Sequence, residues 1–348
     1  MSANWPRVLD GLEHHLAGDG LLILDPPASL LGRLPASARL FSLDYSIWSR
    51  LPPARREPFG TDLPEAGTDT VLLFAPRSKD RLAWWLNRLA VTSPGASLWL
   101  AGANREGGRG IGGQVESVLD VPPRLVDRLG RASLWQCRLP VTASAHRDFW
   151  QVEQYARLAI HSLPGVFGHR GVDAGSALLL EAAAELTIAG RVLDFGCGAG
   201  LLGAVIASRG RPDALVLIDS DALAVASARR TLQANAVAGE VLPSDGWSQV
   251  SGRFDWIISN PPFHRHGQPS LDTVSAMIAG AGDHLHSGGR LLLVANRHLP
   301  LERVLAEHAS AVEETAASKH FKVLLAAGFA GGASLPSSRP RTASGGGR

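Results

Sequence analysis

Cysteine is scarce in this chain: two among 348 residues, Cys137 and Cys197. Cys197 lies between glycines in a turn that a disulfide would block. A cystine-stapled secreted domain is therefore excluded, and a reducing, cytoplasmic setting is expected. Neither sign of charge dominates. The 34 basic residues face 32 acidic ones, for a formal net charge of +2, a balance that neither demands nor forbids a nucleic-acid partner. No run approaches the roughly 18 apolar residues of a membrane span. The N-terminus carries Asp10, Glu13, His14 and His15 where a signal peptide needs an apolar core. The 12 histidines are scattered, and no His/Cys spacing resembles a zinc site, so no metal is expected. What remains is 45% hydrophobic and 19% charged, a packed globular protein long enough for two domains.

The richest stretch is Val192-Leu193-Asp194-Phe195-Gly196-Cys197-Gly198-Ala199-Gly200. An apolar run ends in an acid, three glycines alternate, and a small-residue helix follows over 201–208. This is the grammar of a strand, a tight turn and a helix N-terminus with a nucleotide-like ligand over the turn. A dinucleotide wants Gly-x-Gly-x-x-Gly, and the spacing here is different. Asp194 suits a ligand with an ammonium group, and S-adenosylmethionine carries one beside its sulfonium. Asp219 closes the next strand, where an acid can accept both hydroxyls of a ribose; Ser220 and Asp221 compete to cap the helix after it. Asp245, followed by Gly246, closes a third strand. It either accepts from an adenine amino group or is a solvated loop acid.

Downstream comes Asn260-Pro261-Pro262-Phe263. Two prolines fix the backbone and remove two N–H donors. The Asn260 side-chain oxygen and the Pro261 carbonyl are then free to accept from a planar NH₂, and Phe263 to stack on its base. Holding that nitrogen in line with a methyl donor accelerates transfer by geometry, without a metal or a strong base. His264 and His266 follow, either lining the entrance or solvated.

Strand and helix signals alternate throughout. Residues 21–24, 39–44, 69–75 and 96–101 read as strands, and 7–17 and 80–91 as helices. The second half repeats the pattern, with strands at 192–194, 214–219, 240–242, 254–259 and 290–295. Helices are expected from 221 to near 235, at 272–286 with Ser287-Gly288-Gly289 as the stop, and at 300–309. Residues 312–315 and 321–326 form a closing hairpin. The two halves align: residues 70–76 fall on 256–262, and 97–105 on 289–297, where Ala103-Asn104-Arg105 meets Ala295-Asn296-Arg297. The expectation is a duplicated α/β domain whose first copy has lost its chemistry. Pro26-Pro27 stand where the glycine turn should be, and Phe74 where Asn260 is. The alternative is the general likeness of any two α/β domains.

The expected division is 1–145 for the first domain, 146–176 for a linker and glycine-rich loop, 177–330 for the second domain with a first helix over 177–185, and 331–348 for a disordered tail. Trp84-Trp85 read as core rather than a base-stacking site. Arg55, Arg56, Arg77, Lys79, Arg81, Arg105 and Arg109 either track RNA phosphates or form a solvated face.

The glycine turn, the acidic strand ends and Asn-Pro-Pro-Phe resemble class I S-adenosylmethionine-dependent methyltransferases acting on exocyclic or amide nitrogens. Residues 163–167 and 171–176, and Phe321-Lys322-Val323, extend the likeness to the bacterial ribosomal RNA guanine-N2 methyltransferases, the 16S (small-subunit) enzymes foremost. The resemblance implies two tandem Rossmann-like class I methyltransferase domains, the N-terminal one degenerate and serving folding and RNA binding. It implies that Asp194, Gly196 and Gly198 hold the methionine part, Asp219 the ribose, Asp245 the adenine side, and Asn260 to Phe263 the guanine, with Cys197, Ser220, Gly246 and Asn260 also among the cofactor-binding residues. It places the loop from Asp173 through Gly175 to Ser176 at the border of the cofactor pocket. The expected partner is ribosomal RNA or the small ribosomal subunit, with the enzyme a monomer. A large-subunit guanine-N2, adenine-N6 or protein-glutamine methyltransferase shares the four-residue motif. A non-catalytic RNA-binding assembly factor is the reading from another class.

Overall fold

The structure is a computed structural model that describes residues 3–12, 15–16, 20–64, 67–141, 147–169, 171–210, 212–261, 264–265, 268–269 and 271–330. Pro262, Phe263, His266 and the 331–348 tail lie outside the described residues.

The first half runs α1 (Trp5–Leu12), β1 (Leu21–Leu24), β2 (Arg39–Phe41), α2 (Tyr45–Trp48), β3 (Thr70–Phe74), α3 (Lys79–Thr92), β4 (Ser97–Ala103), α4 (Ile111–Leu119), β5 (Arg124–Leu129) and β6 (Ala132–Arg138). Its sheet has the order β2-β1-β3-β4-β6-β5. Every residue of β1 is buried, as a central parallel strand covered on both faces requires. A hairpin, β7 (Gln151–Tyr155) and β8 (Leu158–Ser162), follows in the stretch expected to be linker.

The second half runs α5 (Ala174–Ala184), β9 (Arg191–Phe195), α6 (Leu201–Gly210), β10 (Ala214–Asp219), α7 (Ala222–Ala234), β11 (Glu240–Pro243), β12 (Phe254–Ser259), β13 (His264–Arg265), β14 (Gln268–Pro269), α8 (Asp272–His284), β15 (Leu285–Asn296), α9 (Leu301–Ala306), β16 (Ala309–Ala317) and β17 (Phe321–Phe329). Its main sheet has the order β11-β10-β9-β12-β15-β17-β16. The chain leaves β9 toward β10 on one side and returns to β12 on the other. The carboxyl ends of β9 and β12 therefore flank a topological switch point, where α/β sheets bind ligands.

Pairing registers confirm the duplication. Ile23 pairs with Leu40 and Leu72 as Asp194 pairs with Leu217 and Ile258. Ile23 thus stands at the place of Asp194, Phe74 at that of Asn260, and Asp25 at that of Gly196. Asp25 even keeps the left-handed backbone of the glycine, φ 49° against 73°. One alignment needs correcting. Thr70 pairs with Ser97 and Trp256 with Arg290, so Ala103 corresponds to Asn296. The shared Ala-Asn-Arg is one residue out of register, a slip that would put buried Leu98 on exposed Arg290.

Two smaller expectations also change. Helix α1 starts at Trp5, two residues before the expected Arg7, and its expected end at residue 17 lies outside the described residues. Helix α8 ends at His284, and Ser287-Gly288-Gly289 lie inside β15.

The halves meet through a reciprocal pair of backbone hydrogen bonds. Tyr45 N–H donates to the Ser220 carbonyl at 2.7 Å, and Ala222 N–H to the Leu43 carbonyl at 2.8 Å. By the strand registers, Tyr45 corresponds to Ala222 and Leu43 to Ser220, so the contact has local two-fold pseudosymmetry. The β7–β8 hairpin docks on α7. There Asn235 Nδ2 donates to the Ala159 carbonyl, His161 N–H to Thr231 Oγ1 and Leu163 N–H to Ser227 Oγ.

Candidate active site

The glycine turn leaves β9 with Gly196, Gly198 and Gly200 at φ 73°, 53° and 78°, values that L side chains rarely adopt. Space separates their roles. A Cβ on Gly200 would meet Ala228 Cα and Cβ at 3.1 Å, whereas one on Gly196 would meet none of the described residues within 4 Å. Gly200 is required by packing; Gly196 leaves open room above the turn. Gly246 has φ 54° and is equally open. Phe167, an exposed apolar side chain at 59%, stands over the turn, its Cβ 3.6 Å from where a Gly198 Cβ would be.

Asp194 is wholly buried. Its Oδ2 accepts from Gly203 N–H at 2.8 Å, and its Oδ1 has no hydrogen-bond partner among the described residues. Burial pushes its carboxyl up to about 7, against the stabilising Gly203 amide. Burial also raises the Cys197 thiol, helped by the Asp219 and Asp194 charges. Both cysteines are free and buried.

Asp219 accepts from Gly198 N–H at 2.9 Å through Oδ2 and from Asp221 N–H at 2.9 Å through Oδ1. Burial pushes it up to about 6, aided by the Asp221 charge. The helix cap belongs to Asp221, whose Oδ1 accepts from Leu223 N–H at 3.0 Å. That leaves Asp219 facing the turn. Asp245 is exposed, and its amide donates to Ser248 Oγ at 3.1 Å.

Asn260 follows β12. Ile258 pairs with Asp194, so Asn260 leaves β12 beside the strand that runs into the glycine turn. Its Nδ2 donates to Ser176 Oγ at 2.9 Å and faces Asp173 Oδ1 and Oδ2 at 3.3 and 3.4 Å. Only the NH₂ of an amide can face a carboxylate, so this contact fixes the flip, and among the described residues Asn260 Oδ1 has no hydrogen-bond donor. Asp173 itself caps α5, accepting from Gly175 and Ser176 N–H. Gly175 has to be small, because Phe321 ring carbons lie 3.3 Å from its Cβ position. Spacing alone does not reveal the Asp173–Ser176–Asn260 contact; the cue available was the Asp-x-x-Ser cap pattern ahead of an apolar helix.

The first half has no amide at this place. Phe74, at the Asn260 position, is buried and packs edge-on against Trp5 of α1, 5.4 Å between ring centroids. Trp84 and Trp85 are core. Several of the basic residues are used internally. Arg55 donates to the Pro35 carbonyl, Arg56 stacks 4.0 Å over Trp48, and Arg81 pairs with Asp221. Among the described residues no group of His, Cys, Asp or Glu could hold a metal ion, and no helix is long and apolar enough to cross a membrane.

Residues 157–325 match the Methyltransferase small domain and residues 13–153 the Methyltransferase small domain N-terminal family. The Ribosomal RNA small subunit methyltransferase C of Klebsiella pneumoniae is 42% identical over 262 residues, 74% of this chain and 75% of that one. The chain belongs to the small-subunit ribosomal RNA methyltransferase C family. The Erwinia tasmaniensis member is 39% identical over 260 residues, 74% of this chain and 75% of its own. The T. thermophilus 16S rRNA N2 G1207 methyltransferase, solved with AdoMet and guanosine, superposes with a TM-score of 0.78 at 25% identity, covering 94% of this chain and 93% of its own. As a family member this chain is an S-adenosylmethionine-dependent methyltransferase with two methyltransferase-small domains. The open space over Gly196 and the unpartnered Asp194 oxygen fit such a cofactor.

Proposed function

We propose that this enzyme methylates the exocyclic N2 amine of a guanine in 16S ribosomal RNA. The observation that carries the reading is the Asn260 amide. Its NH₂ is turned back onto Asp173 and Ser176, so its oxygen is presented as an acceptor one strand from the glycine turn. Asn260 Oδ1 and the Pro261 carbonyl then accept the two N–H groups of the amine, and Phe263 stacks on the guanine. The two acceptors hold the nitrogen lone pair in line with the donor, and the base leaves its stack to reach them.

S-adenosylmethionine supplies an electrophilic methyl on a sulfonium. In this reading Asp194, Gly196, Cys197 and Gly198 bed its methionine part, Asp219 and Ser220 its ribose, and Asp245 and Gly246 its adenine, with Asp173 and Gly175 bordering the pocket. The residue 1–145 half, with Phe74 packed on Trp5 at the Asn260 position, supports the fold and the RNA.

The test is transfer of labelled methyl from S-adenosylmethionine to small subunits or their RNA, followed by nucleoside mass spectrometry. N2-methylguanosine is expected. Label on adenosine or on protein glutamine would refute the assignment.

A further inference from the structure

The contact between the halves falls on the corner that follows the proposed ribose acid. Residues 220–222 are bracketed by the two backbone bonds to Tyr45 and Leu43, and Asp44 bridges Asp221 between them. Into this corner reaches Arg81, from α3 of the degenerate half. Its guanidinium donates to Asp221 Oδ2, from 140 residues upstream. The pair is mostly covered, with side-chain exposures of 20% and 24%. The linker loop covers it further, since a Cβ on Gly165 would stand 3.0 Å from Arg81 Nε.

From Arg81 the bonds run in series. Arg81 holds Asp221, the Asp221 amide holds Asp219 Oδ1, and Asp219 Oδ2 holds Gly198 N–H. Each carboxylate oxygen of Asp219 is thus fixed by a backbone donor, one of which Arg81 anchors from the other half.

We propose that Arg81 is a positioning residue for cofactor binding: the degenerate half supplies the cation that holds the Asp221–Asp219 corner aimed at the glycine turn. This rests on the assignment of Asp219 to the ribose. The electrostatics agree. Asp219, Asp221 and Asp25 all face the guanidinium, Asp25 from the end of β1. Asp194 and the Cys197 thiol approach from the β9 turn, and Asp44 from the start of α2. The other charged groups named at this corner are all acidic, and the Arg81 charge acts on the Asp219 carboxyl in the lowering direction, against burial and the Asp221 charge. Without it the Asp219 carboxyl moves further up and accepts ribose hydroxyls less well near neutral pH.

The test is titration calorimetry of S-adenosylmethionine into full-length wild type, Arg81→Gln, Arg81→Lys and Asp219→Ala, from pH 5.5 to about pH 8, a range chosen around the shifted carboxyls. Arg81→Gln keeps a donor to Asp221 and removes the charge. It should weaken binding roughly ten-fold near neutrality, move the pH at which affinity is half lost upward, and raise the cofactor KM more than it lowers kcat. Arg81→Lys should restore the wild-type pH midpoint. Wild-type affinity and pH profile in Arg81→Gln would overturn the proposal. Should that variant not fold, Arg81→Lys carries the test: a pH midpoint displaced upward despite its retained charge would overturn it. Wild-type binding by Asp219→Ala would instead refute the ribose assignment, so the two failures are distinct.

Discussion

Ser176 Oγ accepts a hydrogen bond from Asn260 Nδ2 at 2.9 Å, joining the N-terminus of α5 to the end of β12. The first half has an aromatic pair at the matching place, Trp5 at the start of α1 against Phe74 at the end of β3. One copy uses the helix start to orient an amide, the other to seal its sheet edge.

Removing the orienting hydroxyl should therefore damage catalysis more than binding. Ser176→Ala is expected to lower kcat roughly 10- to 100-fold, the scale of a misplaced reacting group, with S-adenosylmethionine affinity near wild type. Asp173→Ala should do the same and also destabilise by about 1 kcal/mol through the lost cap. Steady-state kinetics beside thermal melts separates the two effects.

The glycines of the turn should divide by function. Gly200→Ala forces a left-handed backbone and a Cβ against Ala228, and should cost about 1–3 kcal/mol of stability. Gly196→Ala meets none of the described residues, so its stability loss should be smaller and its loss of cofactor affinity larger. Urea melts and calorimetry on both variants check this division.

Acidity should pull stability and cofactor binding in opposite directions. Asp194 and Asp219 sit at about 7 and about 6 when folded, against an ordinary value of 3.8. Between the ordinary and shifted values the folded protein binds more protons than the unfolded chain, so these groups make stability fall as pH rises through that window. Cofactor affinity should rise over the same window as Asp219 ionises. Urea midpoints should show a flatter pH profile in Asp194→Asn than in wild type.

The degenerate copy should not tolerate its lost acid. Ile23 is wholly buried at the Asp194 position. Ile23→Asp places a charge there without the Gly203 amide that serves Asp194, and should cost about 3–5 kcal/mol. A melting temperature unchanged in this variant would contradict the assigned correspondence.

Much of this was legible because buried strands are continuous apolar runs. Strands β10 and β12 fall where the residues predict them, and the Asp-x-Gly-x-Gly turn marks its own strand and helix. Other features were hidden for physical reasons. Strand β7, Gln-Val-Glu-Gln-Tyr, is almost entirely exposed, so it shows no apolar signal. The β5–β6 turn runs through Gly130 and Arg131, both with positive φ, and arginine does not advertise that conformation. The paired glycines before Arg290 read as a helix stop yet lie within β15. The Ala-Asn-Arg match misled by one residue because strand register depends on face, and identity does not record it. Arg81 reads as a surface cation, and only the fold brings it to Asp221.

The most direct measurement is made on Asn260→Ala: methyl transfer to 16S RNA or small subunits, beside calorimetric titration with S-adenosylmethionine. Cofactor affinity within a few-fold of wild type, with transfer down by roughly 100-fold or more, is the expected result. Transfer at the wild-type rate would contradict the claim that this amide oxygen holds the guanine amine.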